Sequence, residues 1–347
     1  MEPGNRVQEI CNNTMSSDVT ETPGQGEGRS LWGNAWAQLR RRRLALVCLW
    51  ILGGYTALAL YGEAVFRWYR FRDQTPSYQQ PNLAEMCQPP SFLRHPWAGP
   101  PDGGCAASAG SRFVAGLRNL SRHPLGTDGL GRDVLQRLVQ GARIAFQVGI
   151  ITSLIAIPIG VLLGCLAGYC GGRTDDAIVW LYSTFASIPG LLFILAIALV
   201  VGKGLLGVYL GIGLTTWVGL CRLIRGEVIK HKSQTYVLAA RALGFGPARI
   251  MFRHILPNVF HIVIVTFTLR FPAAISTEVF MSFLGIGVQG EPSWGVMIGN
   301  ARLRLWQGVW WEMAFVTLAI FLIVLAFNLL GDALRDALDP RLRTREG

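Results

Sequence analysis

The chain has 347 residues, of which 51% are apolar and only 15% charged, with a net charge of +11 and a mean hydropathy of +0.37. A soluble domain carries about 25% charged residues, so this composition excludes a water-soluble enzyme and a chain that is disordered throughout. In a soluble protein the positive balance would suggest nucleic acid, but the positions of the charges give it another meaning.

From the N-terminus, residues 1–39 are rich in Gly, Ser, Thr, Asn and Glu without an apolar period, and read as a disordered tail. Arg40–Arg43 then abut Leu44–Gly62, a run without Asp, Glu, Lys or Arg. The long stretch ahead of that run favours an anchor helix over a cleaved signal peptide. Ile144–Tyr169, Ile178–Gly202, Gly204–Cys221 and Met313–Gly331 are also charge-free, and Val259–Val288 is interrupted only by Arg270 and Glu278. Crossing roughly 30 Å of hydrocarbon takes about 20 helical residues, and the runs lack the alternation of a β-barrel. The expected fold class is all-α, a polytopic membrane protein with six transmembrane helices.

The arginines before the first span place the N-terminus inside. Alternation then puts Arg222–Pro257 and the C-terminus inside as well. The loop carries Arg222, Arg225, Lys230, Lys232, Arg241, Arg249 and Arg253, and the tail carries Arg335, Arg341, Arg343 and Arg345. Topology thus accounts for most of the basic charge, and no nucleic acid is needed. The chain divides into a tail (1–39), a first membrane helix (44–64), an extracytoplasmic insert (65–142), a five-span core (143–332) with an internal loop (222–257), and a second tail (333–347).

Within the insert, residues 67–121 contain Pro89-Pro90 and Pro100-Pro101 and suggest loops with little regular structure. Gly131–Arg143 has an apolar period suited to a helix lying on the outer membrane surface and feeding the second span. Cys87 and Cys105 share the insert, where oxidation is allowed; a disulfide between them is one reading and two free thiols the other.

Inside the spans, Gly160, Gly164 and Gly168 form one small-residue stripe and Gly207 with Gly211 another, both expected at helix contacts. Pro158, Pro189 and Pro272 should kink their spans. Arg270 and Glu278 are candidate pathway or interface residues, because a charge within the membrane faces a cavity or a partner. Ser183, Ser187 and Thr215 are weaker pathway candidates, since hydroxyls also bond to carbonyls of their own helix. There is no phosphate-binding loop and no H-E-x-x-H, and Gly285-x-Gly287-x-x-Gly290 follows a span rather than a strand, so it reads as a span terminus. No catalytic residue, metal site or bound cofactor is expected in this chain.

The internal loop is the informative segment. Ser233–Gly244 suggests a short helix with Thr235 as N-cap and Gly244 just past its end. Pro247 would open a second helix that ends at Leu256-Pro257-Asn258. Small residues at Ala239, Ala240 and Gly244 permit close approach by a partner; the alternative is a pair of helices lying flat beside the bilayer.

This loop resembles the Glu-Ala-Ala loop of binding-protein-dependent ABC importer permeases, with Ala239-Ala240, Gly244 and Leu256-Pro257 at the family's spacing. It departs at Leu238, where the family has Glu, and at His254, where it has Ile. Three further segments resemble the dipeptide/oligopeptide permeases: His123-Pro-Leu-Gly-Thr-Asp through Val134, Ser282–Gly287 with Pro292-Ser293-Trp294-Gly295, and Gly331–Arg341. The resemblance spans about His123–Arg343 and leaves the N-terminal tail and the 67–121 insert outside it.

It implies a type I ABC importer permease fold in a bacterial cytoplasmic membrane, moving peptides or a related solute such as a nickel complex by alternating access. It further implies an ATP-binding-cassette ATPase that uses ATP and Mg, a second homologous permease and an external solute-binding protein as partners. ATPase docking would fall on Leu238, Ala239, Ala240, Arg241 and Gly244. A Glu at position 238 would complete a Thr-x-x-Glu capping box and offer a charge, and Leu238 can do neither. The rival is a self-contained ion-driven carrier or a channel. That rival needs intramembrane carboxylates, of which only Glu278 is well placed.

Overall fold

The computed structural model describes residues 39–40, 42–90 and 123–338. The principal helices are α1 (Arg43–Phe71), α2 (Val134–Cys170), α3 (Gly172–Ser187), α4 (Gly190–Val201), α5 (Leu205–Thr215), α6 (Trp217–Lys232), α7 (Thr235–Ala242), α8 (Pro247–Phe283), α9 (Trp294–Ala301) and α10 (Trp311–Leu338). Among the described residues there is no sheet, only an isolated bridge between Thr127 and Asp133. The helices α1, α2, α5 with α6, α8 and α10 are each long and apolar enough to cross a membrane.

The sixth crossing follows from direction. Positions 160, 164 and 168 of α2 face Leu220, Ile224 and Val228 of α6 in the same order, so the two helices run parallel. Parallel neighbours require a return crossing between them, and α3 with α4 supplies it. These two helices are bent by 91° at their junction. The expected single kinked span over Ile178–Gly202 is therefore corrected to a broken one. The cause is Pro189: its ring excludes Ile188 from helical geometry, and Ile188 adopts φ −88° and ψ 132°, ending α3 at Ser187. Pro158 and Pro272, by contrast, sit inside uninterrupted α2 and α8.

Two boundaries also differ from the sequence expectation. Gly131–Arg143 does not form a separate surface helix; from Val134 onward it is the first turns of the 37-residue α2, with Arg137, Gln140 and Arg143 buried. The loop's second helix does not stop at Leu256-Pro257-Asn258 but runs on into α8. Ile250–Ile255 adopts π-helical geometry just ahead of Pro257, and the Leu256 N–H bonds the Met251 carbonyl five residues back. Widening the turn is how a helix passes a residue that lacks an N–H and crowds the preceding turn.

Both glycine stripes lie at helix contacts, as expected. A Cβ at Gly164 would stand 2.8 Å from the Cys221 carbonyl oxygen, and one at Gly211 2.9 Å from that of Ile194. The first stripe seats α2 on α6 and the second folds α4 back on α5. At one end of the bundle Arg42 pairs with Asp336 at 2.7 Å, bringing the start of α1 to the end of α10. At the other end Arg143 of α2 pairs with Glu291, lies 3.6 Å from Glu63 of α1, and stacks on Phe66 at 3.8 Å.

The insert holds more structure than its composition suggested. α1 continues to Phe71, and residues 82–88 bond across to the 126–133 loop through Asn82 N–H to Leu130 O and Cys87 N–H to Asp128 O. A Cβ at Gly131 would overlap the Asn82 carbonyl, and φ there is +73°, so this contact requires glycine. Asp128 is buried and accepts Leu130 N–H, Arg132 N–H and Arg132 Nε. The Thr127 carbonyl accepts the Trp311 indole N–H at 3.1 Å. His123–Val134, singled out in the sequence, thus ties the starts of α2 and α10 to the segment after α1. Cys105 and the residues around it lie outside the described residues, as do the 1–38 tail and residues 339–347.

Candidate functional site

The α7 loop projects at the end of the bundle where α2 and α6 finish and α8 begins. α7 starts one residue earlier than expected: Gln234 is the N-cap and Thr235 the first helical residue, with no side-chain cap. A Glu at position 238 could not form a capping box with Thr235 here, so the departure at Leu238 bears on the exposed surface alone. The C-terminus follows expectation. Gly244 has φ +77°, its N–H bonds the Arg241 carbonyl, and the Phe245 N–H bonds the Ala240 carbonyl, which satisfies carbonyls that the helix end leaves open.

Val237 and Ala240 form the buried face of α7 and pack with Ile250 and Met251 of α8 and Val228 of α6. Leu238, Ala239, Arg241 and Gly244 are exposed, Leu238 at 51%. Of the five proposed docking positions, four thus form one outward surface, and Ala240 anchors it from behind. Arg241 also lies 5.5 Å from the Tyr169 ring at the end of α2. Asp175 of α3 accepts two bonds from Arg225 of α6, at 2.5 and 2.6 Å. The α7 loop therefore rests on α6 and α8, while α2 and α3 are joined to it through Tyr169 and Arg225.

Arg270 and Glu278 are not brought together. The Arg270 guanidinium bonds both the carbonyl and the hydroxyl of Thr216, the residue at which α5 gives way to α6. It serves as a cationic cap on a broken span, where a helix C-terminus favours positive charge. Replacing Arg270 by Met should lower the thermal stability of the purified chain by about 2 kcal/mol, as for loss of a charge-assisted bond. Arg270→Lys should restore less than half of that, because a compact, strongly hydrated ammonium lacks the planar fork that presents separate N–H groups to the two acceptors. An unchanged melting temperature in Arg270→Met would remove Arg270 from this role.

Glu278 is 1% exposed and accepts the Ser282 hydroxyl at 2.7 Å, with Ser293 as a second partner. Ser293 in turn caps α9 by accepting the Val296 N–H, and Trp294 donates to the Leu138 carbonyl of α2. The second sequence segment, Ser282–Gly287 with Pro292–Gly295, therefore folds α9 back onto α8 and α2, with Glu278 as its anchor. The Gly285–Gly290 stretch is a span terminus, as read, with φ +78° at Gly285 directly after α8.

Among the hydroxyls, Thr215 bonds the Gly211 carbonyl of its own helix at 2.8 Å and Ser187 the Thr184 carbonyl at 2.7 Å. Ser183 and Ser187 are exposed beside the α3–α4 break, whereas Thr215 is half-buried. The Arg225–Asp175 pair and the Thr216 cap escaped the sequence reading as pairs, because their members lie 50 and 54 residues apart. The run of internal arginines was the only signal for the first.

Residues 160–344 match the family described as the inner membrane component of binding-protein-dependent transport systems, and residues 30–90 match the N-terminal transmembrane domain of oligopeptide transport permease C. The chain is 36% identical over 311 residues to a dipeptide transport system permease of Bacillus subtilis, covering 89% of this chain and 86% of that protein. It is 33% identical over 315 residues to the oligopeptide transport system permease of the same organism, covering 90% and 91%. A glutathione transport system permease of Pectobacterium atrosepticum is 40% identical over 225 residues, or 65% of this chain and 74% of that one. The similarity extends further toward the N-terminus than the four sequence motifs, which begin at His123.

Proposed function

The chain belongs to the inner membrane components of binding-protein-dependent transport systems, and from that membership we propose that it imports peptides by alternating access, driven by a separate ATPase. The family is a membrane transport component and not itself catalytic. The observation that carries the mechanism is the mounting of α7. Its outer surface of Leu238, Ala239, Arg241 and Gly244 is open, while its inner face is fixed to two crossings at once. A partner that grips the outer surface and moves would therefore displace α6 and α8 together.

Peptides are the substrate class because relatives that cover most of this chain are named for dipeptide and oligopeptide transport. A glutathione transport permease, named for another small peptide, matches the core. The partners are an ATP-binding-cassette ATPase that consumes ATP with Mg, a second homologous permease and an extracytoplasmic binding protein. The α7 end of the bundle faces the cytoplasm, in keeping with the basic residues along 222–253. The pathway runs past the α3–α4 break, with Ser183 and Ser187 beside it. Irregular backbone at membrane depth is tolerated where it lines water or is covered by protein.

Purification of the full chain from native membranes in gentle detergent, with mass spectrometry of what accompanies it, tests the assembly. An ATPase and a second permease in stoichiometric amounts are expected. A chain that purifies alone and takes up solute under an ion gradient would favour the ion-driven carrier. Uptake of labelled dipeptides in cells with and without the chain tests the substrate class, and equal uptake in both would remove peptides.

A further inference from the structure

A cavity of about 610 Å³ opens between the last turns of α1, the loop that follows it and the first turns of α2. Its walls include Tyr61, Ala64 and Trp68 of α1, Tyr78 of the loop, and Leu135 and Gln136 of α2. Depth is set by the sequence. The charge-free part of α1 ends at Gly62, about 28 Å along the helix from Leu44, so the cavity straddles the boundary between hydrocarbon and headgroups. Tyr and Trp concentrate at that level.

Three features identify the occupant. Below the cavity α1 exposes Trp50, Gly53, Ala57, Leu60, Tyr61 and Ala64, a strip at helical spacing that leads into it. At its mouth Arg72 is exposed, with its guanidinium 4.1 Å from the Trp68 ring. Inside, Tyr69 donates to Ser77 and Ser77 to the Gln136 carbonyl, at 3.4 and 3.3 Å, which leaves the Gln136 amide N–H groups as donors at the wall. An apolar track ending in a cation and amide donors at headgroup depth matches an acyl chain ending in a phosphate.

We propose that this cavity is a binding site for an anionic phospholipid, whose acyl chain lies along the exposed strip of α1 and whose phosphate meets Arg72 and the Gln136 amide. The occupied site would fix α1, which carries Glu63 and Phe66, against Arg143 of α2. It does not depend on the substrate.

The test is native mass spectrometry of the full chain released from nanodiscs of phosphatidylglycerol or of phosphatidylcholine. The wild type is expected to retain phosphatidylglycerol preferentially. Ala64→Trp, which fills the cavity from the exposed face of α1, should cut that retention by about tenfold. Arg72→Gln should retain both lipids alike, and it decides the matter if Ala64→Trp does not fold. Equal retention by the wild type and either variant overturns the proposal. Displacement of the lipid by excess inorganic phosphate would show a free-anion site instead. Crosslinking of Ala64→Cys to a protein subunit in place of a photoreactive lipid would show that a partner covers the cavity.

Discussion

Gly244→Asp should abolish uptake and release the ATPase while leaving the chain inserted in the membrane at wild-type levels. The reason lies in what surrounds the position. A Cβ at Gly244 would meet nothing within 4 Å in this chain, so no internal clash threatens the fold. The backbone cost of a non-glycine residue at φ +77° is about 1 kcal/mol, too little to remove α7 from its seat on Ile250 and Met251. A carboxylate, however, would stand on the outer surface at the point where the small residues permit closest approach. Burying it unpaired under a partner would cost several kcal/mol.

Gly244→Ala separates the two effects, since it carries the backbone strain with almost none of the volume and no charge. It should retain most of the uptake. Co-purification and uptake of Gly244→Asp at wild-type levels would show that docking occurs elsewhere. Equal loss in both variants would assign the defect to the bent backbone rather than to the covered surface. Leu238→Glu extends the series: with 51% of its surface exposed and no capping partner at Thr235, it should change ATPase affinity without changing the stability of the chain alone.

The crossings were legible because each required only local composition: a run of apolar residues long enough to span the bilayer. The glycine stripes were legible for the same reason, as their spacing places them on one helix face. What stayed hidden depended on residues far apart. The α5–α6 break falls at Thr215-Thr216, which contains neither Gly nor Pro, and the guanidinium that caps it arrives from residue 270. The 91° bend is a different case. Pro189 announced an interruption, but the angle is chosen by what α4 packs on, namely α5 through Gly207 and Gly211. Likewise Pro257 was read as a stop, yet a π-turn carried the helix past it. At the candidate site, the outward residues of α7 were named from the loop pattern. Ala240 belongs to the inner face because Ile250 and Met251 of α8 pack against it, a tertiary contact that the loop pattern does not encode.

The second large effect is expected at the seam between α2 and α6. Gly164→Leu should prevent accumulation of the folded chain, whereas Gly219→Leu on α6 should be tolerated. A Cβ at position 164 would already lie 2.8 Å from the Cys221 carbonyl oxygen and 2.9 Å from the Ile224 Cβ. Neither neighbour can yield easily, because one is helix backbone and the other is 0% exposed. The remaining atoms of leucine would have to enter the space that Ile224 fills, and overpacking of this kind costs about 1–3 kcal/mol or more.

In a membrane the penalty is harder to absorb. Helices there associate through close packing rather than through expulsion of water, so separating α2 from α6 forfeits much of what holds them together. Gly219 offers the contrast, being exposed with nothing within 4 Å of its Cβ position. Membrane-fraction yield and thermal unfolding of the two variants measure the difference, and equal behaviour would mean that the close contact is dispensable. The seam also matters for transport. α6 leads within two residues into α7, so a displacement at the docking surface reaches α2 through this glycine contact. Gly164→Ala, if it folds, should therefore keep the ATPase bound while lowering uptake per ATP hydrolysed.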